Sequence, residues 1–382
     1  TMALLETLFW SSALGLGYTY LGYPVLVGLA ARFAPRPWRT APITPRVSLV
    51  IAAWNEAGVI EAKLRNALEL DYPREQLEIV VASDGSSDDT VAIARRFEAD
   101  GVRVFDLPRG GKTATLNRVV EQLEAEILVF SDANVFFEPD ALRKLVRHFA
   151  DPAIGGVSGD VRLRPDGFSL GESQGIYYRY ERFLQACESK CGSIVGADGG
   201  MYAIRRQYFR AIPTHLINDD FILSMEVARQ GGRLVYDAEA IAYEDSPVDA
   251  VNEFRRKIRV EHGNFQALLS GYGVPGLEQP WFLFTYLSHK VLRWLGFIPL
   301  AAALGSSLAL APQGAIFAIA AAGQLAFYGL ALLGARREGH GGRATNVPFY
   351  FTLENLAAVR GLGRVFTGQV SWGTAQTRTR NV

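Results

Sequence analysis

A mainly parallel α/β domain held between membrane helices is the architecture this chain predicts, and three observations carry the prediction. Apolar runs of strand length alternate with stretches of helical period from Val47 onward, the pattern of a sheet covered by helices on both faces. Charge-free stretches occupy Thr7 to Ala31 and Trp294 to Ala335. Acidic groups follow two of the apolar runs, at the sheet edge where open α/β domains bind ligands.

The elements follow in order. Val47 to Ala53 is a continuous apolar strand, and Ala57 to Leu70 has the spacing of a helix packed on a sheet. Further strands are expected at Leu77 to Ala82, Val102 to Leu107 and Ile127 to Ser131, with helices at Ser87 to Ala99, Lys112 to Leu123 and Pro139 to Phe149. Ile154 to Arg164 adds a strand and Leu170 to Ser189 a long helix. Gly196 to Ile204 reads as a Gly-rich loop entering a strand, and Asn218 to Arg229 as a helix with Asn218 or Asp219 as its amino-terminal cap.

Composition sets the surroundings. The 382 residues are 49% hydrophobic with a mean hydropathy of +0.09, high for a purely soluble chain. Formal net charge is zero and no basic, aromatic-studded run occurs, which excludes the electrostatic footprint of a nucleic-acid binder. Thr7 to Ala31 is long enough to cross a hydrocarbon core of about 30 Å. Arg32, Arg36, Arg39 and Arg46 follow it, while Glu6 and no Lys or Arg precede it, which argues for an uncleaved span over a signal peptide. Thr1 ahead of Met2 reads as an added residue. Trp294 to Ala335, broken by Pro312-Gln-Gly314, reads as a helical hairpin, with Lys290 and Arg293 before it and Arg336 and Arg337 after it. Both outer ends are then cytoplasmic, as is everything between Arg32 and Lys290, giving a multi-pass protein of the inner (cytoplasmic) membrane.

Val248 to Leu269 mixes Phe254, Ile258, Phe265 and Leu268 with Arg255, Arg256, Lys257 and Arg259, a basic amphipathic helix suited to the interface. Val347 to Phe366 is apolar but carries Glu354, Arg360 and Arg364. A span there would put Arg378 and Arg380 outside, so an interfacial or re-entrant helix is expected. The chain divides into residues 1–36, 45–245, 246–280, 281–337 and 345–382. Cys187 and Cys191 lack the further ligands of a zinc site and read as buried thiols.

The chemistry resides in the polar punctuation. Glycosyl transfer from a nucleotide donor must neutralise a departing diphosphate, which a hard divalent cation held by carboxylate oxygens can do. Asp132 is the candidate ligand, and Asn134, two residues on, points to the same side if the backbone stays extended. Asp84 can accept hydrogen bonds from a ribose or base, Asn55 and Glu56 can frame the base, and Asp88 and Asp89 read as solvated or capping residues. Asp219 and Asp220 provide neighbouring carboxylates whose pKa values are open to tuning, with Asp220 as candidate general base. Direct displacement by an acceptor hydroxyl inverts the anomeric centre. Gly111-Lys112-Thr113 imitates a P-loop end, but Asp106 stands where that motif needs glycine. Lys112 still offers a positive charge to a diphosphate.

The ordered set Ala53-Trp-Asn-Glu56, Ser83-Asp-Gly-Ser-Ser-Asp-Asp-Thr90, Gly111-Lys-Thr-Ala-Thr-Leu-Asn117, Ser131-Asp-Ala-Asn134, Gly196-Ala-Asp-Gly-Gly200 and Asn218-Asp-Asp220 resembles the membrane-embedded family 2 glycosyltransferases, across nearly all of Val47 to Arg380. The resemblance implies a GT-A fold, Mg2+ or Mn2+, and a nucleotide-diphosphate sugar, usually a UDP-sugar. It implies nucleotide contacts by Asp84, Lys112 and Asn117, metal binding by Asp132, Asp220 as catalytic base, and an acceptor site along Gly196, Ala197, Asp198, Gly199 and Gly200. Two departures stand out. The family's Asp-x-Asp is Asp132-Ala-Asn134 here, and its Gln-x-x-Arg-Trp is Arg256-Lys-Ile-Arg259-Val260, which keeps Arg256 and Arg259 for the nucleotide diphosphate but lacks the Trp platform for an acceptor sugar. His262 and Asn264 stand nearby as substitutes. Three spans are few for a polymer channel, a difficulty that a homo-oligomer or a lipid-linked acceptor would relieve. The expected activity is transfer to a glycan or lipid-linked acceptor at the cytoplasmic face; the competing reading is a membrane-anchored regulator with a degenerate transferase domain.

Overall fold

The computed structural model describes residues 2–164, 170–245, 250–337 and 342–367. One eight-stranded sheet organises the chain: β1 (Val47–Ala53), β2 (Leu77–Asp84), β3 (Val102–Leu107), β4 (Ile127–Asp132), β5 (Val135–Phe137), β6 (Ile154–Leu163), β7 (Tyr202–Arg205) and β8 (Arg233–Glu244), in the spatial order β3-β2-β1-β4-β7-β6-β8-β5. The β3-β2-β1-β4 half is parallel throughout. Beyond it, β7 runs antiparallel to both β4 and β6, and β5 antiparallel to β8, so the sheet is mixed where a mainly parallel one was expected.

The physical cause of that difference also builds the site. β7 begins directly after the Gly196–Gly200 loop with Tyr202 opposite Phe130, then descends to Arg205 opposite Ile127. A strand entered from the carboxyl edge of β4 can only run back down it, so the Gly-rich loop must lie beside Asp132. β5 follows Asn134 immediately and pairs Val135 with Glu244, which brings the end of β8 to the same edge. β5 and β8 were not foreseen.

Both faces of the central strands are covered, as parallel strands require. Leu49, Ile51, Ile79 and Val129 pack on one side and Val50, Val80, Leu128 and Phe130 on the other. The second face continues into Phe221, Phe265, Tyr286 and Trp294, so the helices Ala250–Ser270 and Pro280–Trp294 are packed on the sheet domain itself.

Two helices, Met2–Phe33 and Ala315–Arg336, are long and apolar enough to cross a membrane. Leu4, Leu14, Leu21 and Ile319 on them are about 71% exposed, apolar surface that a bilayer would cover. The first arm of the expected hairpin is a 14-residue helix, Phe297–Leu310, bent by 57° against Pro280–Trp294. At ~1.5 Å per residue it falls short of the ~30 Å core. Gly296 and Pro299 explain the break, since proline lacks an amide donor and sits best in a helix's first turn. Arg343–Thr367 is a single helix that does not qualify as a span among the described residues; Arg378 and Arg380 lie outside the described residues. It meets Ala250–Ser270 where Gly361 faces Glu261, a Cβ at Gly361 coming within 2.7 Å of that side chain, and Lys257 pairs with Glu354 at 2.6 Å. Cys187 and Cys191 are buried free thiols.

Candidate active site

The acidic motifs divide into two settings. Asp84, at the end of β2, is buried and saturated. Its Oδ1 accepts from the amides of Gly110 at 2.7 Å and Gly111 at 2.9 Å and from Thr115 Oγ1 at 3.1 Å, and Arg109 pairs with its other oxygen. Gly85, at φ +64°, lies so close to Arg109 that a Cβ would come within 2.6 Å of its backbone nitrogen; only glycine combines that turn with that approach. Arg109 also lies 3.7 Å over the Trp54 ring. Asp84 thus clamps the loop that delivers Lys112. Asn55 takes a left-handed conformation at φ 55° and its Oδ1 accepts from the Ser87 amide at 2.8 Å, which ties the first motif to the second. Asp88 accepts from the Thr90 amide at 3.0 Å, while Asp89 holds the cap position of that helix without a side-chain hydrogen bond. Asn117 turns away from this edge, its amide donating to Ile212 O at 2.7 Å and accepting from Ile212 N at 3.1 Å.

The second setting is a cavity of about 650 Å³ lined by Lys112, Asp132, the Gly196–Gly200 loop, Asp219, Asp220, Glu244, Arg256 and Arg259. Asp84, Asn55, Glu56, Asn117 and Asn134 do not line it. Lys112 Nζ donates to Asp132 Oδ1 at 2.8 Å and lies 3.5 Å from Asp219 Oδ2, so one ammonium serves two carboxylates. Asp219 Oδ2 is buried and accepts no hydrogen bond of good geometry. Gly199 leaves no room for a Cβ against the Asp220 carboxylate, and one at Gly196 would come within 2.7 Å of Phe221. The Gly-rich loop is therefore pressed onto the start of Asp219–Arg229. Asn218 caps that helix by position but not by its side chain, which donates instead to Val260 O at 2.9 Å and Asn264 Oδ1 at 2.8 Å. Asn264 and His262 are both buried; Asn264 lines the cavity, whereas His262 does not. Arg256 is held by Glu253 through two hydrogen bonds.

Burial and neighbouring charges shift several of these groups. Burial, the Lys112 charge notwithstanding, raises both Asp219 and Asp220 above the ordinary aspartate range; Asp132 adds to both shifts and Arg259 opposes that of Asp220. Burial also lifts Asp198 to about 7, with Glu244, Asp220 and Asp132 contributing. Glu56 is raised to about 7 by burial, then by Asp132 and Asp88. Lys112, despite its burial, is raised by Asp132, Asp219 and Asp220. These carboxylates are raised chiefly by burial, with their mutual repulsion adding to it, a setting that a bound cation would relieve.

Three contributors escaped the sequence reading. Glu244, at the end of β8, accepts from Asn134 Nδ2 at 3.1 Å; Arg109 holds Asp84; and Lys63 is buried beneath Asp132. Only Lys63 left a signal, as a lysine within the apolar stripe Ile60, Leu64, Ala67.

The fold is that of a GT-A glycosyltransferase. Residues 48–212 match the family described as Glycosyl transferase family 2, and the chain carries a domain of that family. The match stops short of Asn218-Asp-Asp220, so the candidate base lies just beyond it. The chain is 26% identical over 236 residues to poly-beta-1,6-N-acetyl-D-glucosamine synthase of Staphylococcus aureus strain MSSA476, and 25% identical over 233 residues to that of Staphylococcus epidermidis; each match covers 59% of this chain and 56% of the relative. The chain thus spans about half the length of the curated relatives it matches. A mannosyltransferase from Pyrobaculum calidifontis, solved with GDP-mannose and Mn2+, is similar over 94% of this chain and 99% of its own, at 26% identity and a TM-score of 0.71.

Proposed function

We propose that this protein is an inverting, divalent-cation-dependent transferase that moves a sugar from a nucleotide-diphosphate donor to a glycan or lipid-linked acceptor at the cytoplasmic face of the membrane. The observation that carries the reading is the cluster of Asp132, Asp219 and Asp220 around Lys112 in one cavity.

The donor set fits a hard cation. Asp132 is 40% exposed and only its Oδ1 is engaged. Asn134 gives its NH₂ to Glu244, and its amide oxygen is the second candidate ligand. Among the described residues no group of three or more His, Cys, Asp or Glu stands ready to hold a metal. Mg2+ and Mn2+ are commonly bound through one or two carboxylates plus substrate phosphates. The cation would neutralise charge on the leaving diphosphate.

The chain's own residues do the rest. Lys112 and Arg259 supply positive charge to the diphosphate, Arg259 from the membrane-proximal helix. Asp220, raised but held ionisable by those two cations, accepts the proton of the acceptor hydroxyl as its oxygen attacks the anomeric carbon and the nucleoside diphosphate departs from the opposite face. Asp219, buried beside it, holds Lys112 in place. The acceptor enters along Gly196–Gly200, from a cavity whose far wall includes Tyr20 of Met2–Phe33 and Phe351 of the last helix, so membrane-borne acceptors can reach it. A UDP-sugar donor follows from the motif resemblance; the GDP-mannose held by the structural relative makes guanine the alternative base. The test is hydrolysis of UDP- and GDP-sugars by the detergent-solubilised chain with Mn2+, with the anomer released followed by NMR. Inversion supports the reading. Retention contradicts the inverting mechanism, and the absence of any turnover contradicts the reading as a whole and favours the non-catalytic regulator.

A further inference from the structure

The helix Ile60–Leu68 buries Ile60, Lys63, Leu64 and Ala67 on one face, and Lys63, 1% exposed, stands where an apolar residue is expected. Burying an amine is costly unless its hydrogens are used. Lys63 Nζ donates to Ser131 Oγ at 2.8 Å and to the Val135 carbonyl, with the Phe137 ring centroid 4.3 Å away. Ser131 Oγ in turn donates to the Asp132 carbonyl at 3.1 Å. The two partners of Lys63 bracket Asp132-Ala-Asn134, joining the end of β4 to the start of β5 across the turn that carries the candidate metal ligands.

We propose that Lys63 is a positioning residue that holds the Asp132–Asn134 turn in the geometry presenting its oxygens to cation and diphosphate. The inference rests on the metal-dependent reading above. It needs only two N–H donors, which a lysine amine retains in either protonation state. Lys63 touches no substrate; it acts through Ser131 and Val135.

The same helix supplies a control. One turn on, Asn66 Nδ2 donates to Phe137 O at 2.8 Å and its Oδ1 accepts from Phe137 N at 2.9 Å, so Asn66 braces β5 at its far end without reaching the turn. Mn2+ binding to the full chain in detergent, followed by electron paramagnetic resonance with UDP or GDP present, separates the two roles. Lys63→Met is expected to weaken Mn2+ about 10–100-fold, the range for residues that orient metal ligands. Ser131→Ala should weaken it by a smaller factor, while Asn66→Ala lowers the melting temperature and leaves Mn2+ affinity unchanged. Wild-type affinity in Lys63→Met, or an equal loss in Asn66→Ala, overturns the proposal. If Lys63→Met does not fold, Ser131→Ala decides, and unchanged Mn2+ binding there overturns it. A wild-type chain that binds no Mn2+ removes the metal-dependent reading itself, and this proposal with it.

Discussion

Asp84 and Asp132 end adjacent parts of the same sheet edge, and both head acidic motifs, yet they occupy opposite electrostatic conditions. Asp84 is surrounded by backbone amides, a hydroxyl and a guanidinium; Asp132 shares a single ammonium with Asp219 among further carboxylates. A saturated carboxylate organises a loop. An under-compensated one is available to a ligand. The comparison teaches that motif membership alone does not say which aspartates contact substrate: the hydrogen-bond inventory around each oxygen does.

The comparison breaks most readily at its catalytic end. Asp220→Asn should lower transfer by ~10²–10⁴-fold, the usual contribution of a positioned general base, while the melting temperature stays the same or rises because a buried charge has been removed. Steady-state turnover beside thermal unfolding in detergent reads both. A variant that loses stability in step with activity would move Asp220 into the structural class.

Asp84→Asn should do the reverse. It places an amide NH₂ against donors that need an acceptor and is expected to cost about 3 kcal/mol of stability, at the upper end for an unsatisfied buried group. Chemical denaturation measures the cost. Stability equal to wild type would show that the clamp seen around Asp84 is dispensable.

Acidity sharpens the contrast at smaller amplitude. Asp220 must be ionised to accept a proton, so turnover should fall as pH drops through its folded pKa, with a midpoint above the ordinary aspartate value of 3.8. An acid limb centred at or below 3.8 would speak against Asp220 as the base. For Asp198, raised to about 7, the folded state binds a proton that the unfolded chain has released, so its contribution to stability declines as pH rises from about 4 to about 7. Asp198→Asn should therefore stabilise the cation-free protein at pH 8 and lose that advantage toward pH 4. Melting curves in chelator at the two pH values check it, and a gain that is largest at low pH would contradict the assignment.

Much of the parallel half was legible because its signals are local. Val47–Ala53 and Val102–Leu107 have the expected bounds, being short apolar runs between turn residues. β8 was hidden because Asp237-Ala-Glu239 interrupts its pattern: the Asp237 carboxylate binds His148 at 2.7 Å and Arg147 at 2.8 Å, and the register with β6 shifts across that point, from Ser158 opposite Tyr236 to Asp160 opposite Ile241. β5, at three residues, is too short to show any period. The candidate ligand, base and Gly-rich loop were readable as motifs. Glu244 and Arg109 were not, since their partners are set by strand pairing and loop return across 110 and 25 residues of sequence. The first arm of the expected hairpin is bent by 57° against Pro280–Trp294, giving two apolar helices, or three if the bent pair is one span, because hydropathy averages over Gly296 and Pro299 without sensing that they break a helix.

The central claim is that the open carboxylates, and not the saturated one, receive the cation together with the donor's diphosphate. Mn2+ binding with nucleoside diphosphate present, compared between wild type, Asp132→Asn and Asp220→Asn by electron paramagnetic resonance, tests it most directly. The account predicts one nucleotide-dependent Mn2+ per chain, lost in Asp132→Asn and retained in Asp220→Asn, although both variants are inactive. Mn2+ bound as tightly by Asp132→Asn as by wild type would contradict it.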